Sequence, residues 1–138
     1  MSKKQDSQEI KKITDQIVKN YKPEKIILFG SYAYGKLTMS SDVDLLIIKK
    51  SRKKRVERIK EVLMKVESEI PLEPLVYTPK EIQERLELGD FFSQNILRKG
   101  KLLYEKKYFK LVEEWVIKAQ NDLRTWTLTI LNLVILQR

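Results

Sequence analysis

Two acidic residues, Asp42 and Asp44, stand at the head of an apolar run, and a Gly-Ser pair, Gly30 and Ser31, closes the apolar run before it. In the stretch LFGSYAYGKLTMSSDVDLLII, ten residues lie between Ser31 and Asp42. Side chains alternate along a strand, so the two carboxylates point to one face. Side by side they repel unless a cation sits between them, and hard oxygen donors of this kind suit magnesium. Glycine at 30 lets an anion come close to the backbone. Free N–H groups at the start of a short helix after it, with the Ser31 hydroxyl, would receive a phosphate. The intervening loop is long enough to fold back and set the phosphate donors opposite the metal ligands. That is a grip on a nucleoside triphosphate and its magnesium, and it points to metal-assisted nucleotidyl or phosphoryl transfer. Either pair alone is more simply a turn or a solvated strand end. The order strand, Gly-Ser, loop, Asp-x-Asp, strand carries the specificity.

Composition narrows the chemistry further. The chain of 138 residues has neither cysteine nor histidine. This excludes thiolate nucleophiles, disulfides, zinc-thiolate sites, Ser-His-Asp arrangements and imidazole proton shuttles. Carboxylates, hydroxyls, lysine, arginine, backbone amides and borrowed metal ions remain. A net charge of +9 calls for a polyanionic partner: nucleic acid, nucleotide or an acidic protein surface. No apolar leader opens the sequence and its most apolar segment, Leu128 to Leu136, is too short to span a bilayer, so the chain is expected in the cytoplasm with no membrane contact.

The elements that must position these residues follow from periodicity. Ile10, Ile13, Ile17 and Tyr21 recur at helical spacing, with Asp6 and Glu9 as a capping box, and the helix stops between Tyr21 and Pro23. KIILF reads as a buried strand, and Val43 to Ile48 as a second strand packed on both faces. Val56, Ile59, Val62, Leu63 and Val66 trace one face of a second helix that ends before Pro71. LEPLVYT is a third strand, placed at a sheet edge or a bulge because Pro74 cannot donate to a ladder. Thr78, Pro79 and Glu81 open a helix as cap, first residue and capping-box partner. A break at Gly89, a further short helix ending at Gly100 and the strand KLLYE complete a mixed α/β (α+β) domain, a small mixed sheet flanked by helices.

FGSYAYGKLTMSSDVDLLII resembles the signature of the minimal nucleotidyltransferases of the DNA polymerase beta-like superfamily, in the prokaryotic antitoxin branch called MNT. The resemblance runs from Ile10 to about Glu105, including RKGKLLYE, and implies a nucleotidyltransferase domain over residues 1–105. It implies that Gly30 and Ser31 hold the nucleotide phosphates and that Asp42 and Asp44 bind a pair of magnesium ions. It also implies a third carboxylate on a later strand, the place of Glu73, with Glu69 as the alternative. Such a group holds the metal that activates the attacking hydroxyl or takes its proton. The sequence departs from the family at Glu73, where aspartate is more common, and at Tyr34, where many relatives carry arginine; Lys36 is the residue left to bring positive charge to the phosphates. The implied activity is transfer of AMP from ATP to a hydroxyl acceptor, a tyrosine on a HEPN-type toxin, by an antitoxin. A nucleotide-binding antitoxin that acts sterically, and an aminoglycoside or RNA nucleotidyltransferase, are the alternatives.

Three further features have a functional and a plainer reading. The run Lys49 to Arg55 could bind RNA, but no aromatic residues are interleaved for base stacking, and a solvated loop is the simpler account. Tyr32 and Tyr34 could stack on a base, carry a modification or cover the sheet edge. Residues 106–138 form a separate helical segment in which LVEEWVIKAQNDLRT resembles the opening helix of HEPN domains. HEPN ribonuclease activity needs a histidine and is excluded, which leaves this segment to pair with another copy of the chain or another protein.

Overall fold

The structure is a computed structural model and describes residues 3–35 and 41–107. Lys36 and the C-terminal segment beyond Lys107 lie outside the described residues. The chain runs α1 (Lys3–Tyr21), β1 (Lys25–Phe29), α2 (Ser31–Tyr34), β2 (Val43–Ile48), α3 (Arg55–Lys65), β3 (Leu72–Tyr77), α4 (Pro79–Glu87), α5 (Phe91–Lys99) and β4 (Lys101–Glu105). The strands form one sheet in the order β3-β2-β1-β4. β1 is antiparallel to both of its neighbours, while β2 and β3 are parallel and joined through α3.

β2 is the central strand, and its sequence VDLLII explains why both faces are covered. Val43, Leu45 and Ile47 point into a core with Ile13 and Ile17 of α1 and Val62 of α3. Leu46 and Ile48 point the other way, into a second core with Ile27, Tyr77, Ile82 and Ile96. Full burial of each such side chain contributes roughly 1.5–3 kcal/mol. Asp44 shares the face of Leu46 and Ile48, so it emerges where the second core reaches the end of the sheet.

Two parts of the helix reading change. α1 begins at Lys3, so Asp6 lies inside it and caps nothing. Glu9 is buried and its carboxylate accepts the Glu69 N–H at 2.9 Å. Gln16 adds two 2.8 Å bonds to the backbone of Glu67, so α1 clamps the connection that leads into β3. On α3, Val56 and Leu63 are exposed, and the buried positions are Val62 and, unexpectedly, Arg58.

Arg58 shows how the open edge of the sheet is closed. Val43 N–H donates to the Pro71 carbonyl and Lys49 N–H to the Tyr77 carbonyl. The odd-numbered residues of β3 therefore direct their backbone groups at β2, and Pro74 and Val76 direct theirs outward. Proline has no N–H to leave unpaired there, and the Arg58 guanidinium donates to the Val76 carbonyl at 2.8 Å. The same guanidinium holds Glu81 through two bonds of 2.6 and 3.1 Å. Glu81 also accepts the Thr78 N–H and donates its own N–H to the Thr78 hydroxyl, the reciprocal cap expected at the start of α4. Burial alone would raise the Glu81 pKa, but the Arg58 and Thr78 hydrogen bonds outweigh it and bring it to about 2.

Candidate active site

The register of the sheet sets three side chains in a row. Phe29 of β1 lies opposite Asp44 of β2, and Asp44 lies opposite Glu73 of β3. Residues directly opposite share a face, so the two carboxylates meet side by side at the sheet's end, with Leu75 one step below. Asp44 is half-buried and Glu73 exposed. Burial, then the hydrogen bond and charge of Glu73, then the charge of Asp42, push the Asp44 carboxyl up to about 6. Glu69, the alternative third carboxylate, sits before β3 with its N–H held on α1.

Gly30 closes the site from the other side. It adopts φ 74° and ψ −155°, a conformation essentially reserved for glycine, and leads into the single turn α2. A Cβ at this position would lie 2.1 Å from Asp44 Oδ2 and 3.1 Å from its Cγ. The backbone of the Gly-Ser turn is therefore in contact with the carboxylate of the Asp-x-Asp pair. Ala33 N–H and Tyr34 N–H both donate to the Gly30 carbonyl, at 3.0 and 3.1 Å. The N–H groups that open a helix have no partner within it, and here they belong to Ser31 and Tyr32. Tyr32 is partly buried against α1; burial and the charges of Asp6 and Asp42 raise its pKa. Tyr34 is 45% exposed.

The sequence positions Gly30, Ser31, Asp42, Asp44 and Glu73 thus gather at one end of the sheet, while Lys36 lies outside the described residues. All the available donors are hard oxygens, of the kind that suits a divalent cation, and two of them, on Asp44 and Glu73, lie side by side. Asp44 and Glu73 fit such an ion. Among the described residues, no three carboxylates stand close enough to hold one together; Asp42 acts on the pair through its charge.

Two aromatic residues were not singled out by the motif. A groove of about 470 Å³ opens beside the carboxylates, lined by Phe29, Asp44, Glu73, Leu75 and Phe92 among others. The rings of Phe29 and Phe92 meet edge to face with centroids 5.7 Å apart. Phe92 is 50% exposed, and Phe91 and Leu88 beside it are more so. The sequence signal was the pair Phe91-Phe92 directly after Asp90, whose carboxylate caps α5 through the Ser93 N–H. An apolar pair in the first turn of a helix with no buried role asks for a partner.

The basic run Lys49–Arg55 does not approach the carboxylates. It follows the far end of β2, about 20 Å away at roughly 3.3 Å per strand residue. No helix among the described residues is long and apolar enough to cross a membrane.

Comparison with known proteins agrees with this architecture. The sequence profile of the family described as "Polymerase beta, Nucleotidyltransferase" matches residues 11–109, more than half of the chain. The fold is similar to that of a candidate nucleotidyltransferase from Sulfolobus solfataricus, with a TM-score of 0.51 at 16% identity, over 72% of this chain and 80% of that one. A toxin-antitoxin crystal structure with AMP-PNP aligns over 90% of this chain and 96% of that one, with 20% identity and a TM-score of 0.44. No curated protein is similar enough in sequence to count as a match.

Proposed function

This chain belongs to the polymerase beta nucleotidyltransferase family, and from that membership we propose that it transfers AMP from ATP to a hydroxyl on a protein acceptor, with Asp42, Asp44 and Glu73 as the magnesium-binding carboxylates. The observation that carries this reading is the contact of the Gly30 turn with Asp44, itself paired with Glu73 across the parallel strands.

In this mechanism the backbone N–H groups after Gly30, with the Ser31 hydroxyl, bind and orient the triphosphate. Lys36 is the residue left by the motif to bring positive charge to the phosphates. Asp44 and Glu73, with Asp42, would hold the magnesium ions. Magnesium, when bound, neutralises the phosphates and lowers the pKa of the acceptor hydroxyl. Glu73, exposed at the groove, would hold the metal nearest the acceptor hydroxyl or take that hydroxyl's proton. The acceptor oxygen bonds to the α-phosphorus, the bond to the β-phosphate breaks, and pyrophosphate carries away the electron pair.

The groove supports a protein acceptor. Its aromatic wall and the exposed Phe91 and Leu88 offer an apolar landing for a partner next to the carboxylates. We take this partner to be a HEPN-type toxin whose tyrosine is modified, with the chain acting as its antitoxin. Incubation with labelled ATP, magnesium and a candidate HEPN protein tests it. Label should pass to the partner from the wild type and not from Asp44→Asn; equal transfer by both would sink the enzymatic reading.

A second reading has one observation in its favour. Because no three carboxylates among the described residues close on a single point, a nucleotide-binding antitoxin that acts sterically fits as well. Wild-type protein that binds the partner and transfers nothing would select it.

A further inference from the structure

The sheet's far end is electropositive in a way the proposed transfer does not use. Lys49, Lys50, Arg52, Lys53, Lys54 and Arg55 follow β2 where it leaves the sheet. Lys25, at the start of β1, lies between Ile48 and Glu105 of its two neighbours, and Lys106 follows the end of β4, its N–H on the Glu24 carbonyl. β2 itself separates the loop cations from Asp42 and Asp44; the parallel pairing of β3 adds Glu73 to the acidic end, and the antiparallel pairing of β1 adds Lys25 and Lys106 to the basic one.

Few of the six loop cations are neutralised. Among the described residues, the Lys53 ammonium pairs with Glu61 at 2.8 Å, and the Lys50 N–H donates to the Glu24 carboxylate at 3.1 Å. Lys49 donates to the Lys22 carbonyl, and the Arg55 guanidinium lies 4.6 Å from the centre of the Tyr77 ring. Neither contact removes charge. The loop then enters α3, an 11-residue helix whose N-cap, Lys54, supplies no side-chain cap, so the positive end of the helix adds to the same field.

We propose that this end of the domain docks on the phosphate backbone of a nucleic-acid duplex, independently of base sequence and of the carboxylate site. Clustered cations gain affinity by releasing counterions condensed on a polyanion. The other polyanions fit less well. A single strand is held by bases stacked on aromatic rings, and Tyr77, the ring beside Arg55, is buried at 5% exposure. A protein interface has an apolar core depleted of charge, and the large exposed apolar side chains Leu88, Phe91 and Phe92 belong to α4 and α5 instead.

The test is fluorescence anisotropy with labelled 20-base-pair RNA and DNA duplexes of arbitrary sequence, at 50 and 200 mM salt. Contact with about four phosphates predicts that affinity falls about 150-fold across that range, for both duplexes. Arg52→Glu/Lys54→Glu, at two exposed positions, should weaken binding at least about tenfold and flatten the salt dependence. The milder Arg52→Gln/Lys54→Gln should fall between, and thermal melts check that both variants fold. Asp44→Asn should bind both duplexes as the wild type does, which separates this surface from the transfer site. Binding unaffected by the double reversals, binding lost in Asp44→Asn, or equal competition by polyglutamate of matched charge would each overturn the proposal.

Discussion

Replacement of Gly30 by alanine separates two costs that glycine avoids at this position. The first is conformational: φ 74° and ψ −155° lie in a region almost closed to other residues, and occupying it costs about 1–3 kcal/mol. The second is steric. The new Cβ would stand 2.1 Å from Asp44 Oδ2, 3.1 Å from Cγ and 3.3 Å from Cβ, so the carboxylate must leave its place; overpacking of this kind costs about 1–3 kcal/mol more. Gly35→Ala is the control. Its φ is 76°, but no described residue lies within 4 Å of its added Cβ, so it bears only a backbone cost of about 1–2 kcal/mol. Urea unfolding should therefore show Gly30→Ala destabilised by about 2–6 kcal/mol and clearly more than Gly35→Ala. In the double variant Gly30→Ala/Asp44→Ala the Oδ2 and Cγ contacts are gone and only the Cβ contact at 3.3 Å remains. The steric part should return as a favourable coupling of about 1–3 kcal/mol in a double-mutant cycle. Zero coupling, or equal stability of the two single glycine variants, would refute the contact between the turn and the carboxylate.

Other perturbations test other parts. Glu81 has its folded pKa depressed to about 2, so its contribution to stability is complete above the unfolded value near 4.5 and is lost as pH falls from there to about 2. With its side chain 31% exposed, about 2 kcal/mol is at stake after screening; acid titrations of stability should show that loss in the wild type and not in Glu81→Gln. Tyr21 is buried with a hydroxyl that has no hydrogen-bond partner among the described residues, and burial first, then the Glu61 charge, lifts its pKa to about 12. Tyr21→Phe should leave thermal stability unchanged or raise it by up to about 1 kcal/mol, and a loss above that would mean the hydroxyl is bonded. Magnesium at ten times its Kd should stabilise the wild type by about 1.4 kcal/mol in thermal melts and leave Asp44→Asn unmoved; equal shifts would remove Asp44 from the metal site. Glu73→Gln should retain the fold, since the side chain is exposed, while label transfer to the acceptor is lost.

The two short motifs of the candidate site were legible in the sequence because each is local. Gly30-Ser31 and Asp42-x-Asp44 each lie at a strand end within one short stretch, and a strand end fixes side-chain direction without help from distant residues. The packing of VDLLII on both faces, the edge position of Pro74, the Thr78 cap and the strand KLLYE were equally readable, each from a short-range physical rule. The apolar periodicity of α3 misled because it ranks side chains by type. Arg58 is buried because two backbone carbonyls and Glu81 lie within reach, and all but the Lys53 carbonyl come from β3 and α4. Asp6 and Glu9 misled in the same way, since Glu9 is taken by a backbone N–H that arrives 60 residues later.

What only the tertiary structure decided is which distant residues meet. The parallel register of β2 and β3, with the α3 crossover and the clamp from α1, sets Glu73 beside Asp44 and leaves Glu69 before β3. The nearness of Phe29 and Phe92 to those carboxylates comes from the same register and from the packing of α5 on the sheet. Along β2 the order of residues already sets Asp42 and Asp44 apart from Lys49–Arg55, but only strand direction brings Glu73 to the acidic end and Lys25 and Lys106 to the basic one.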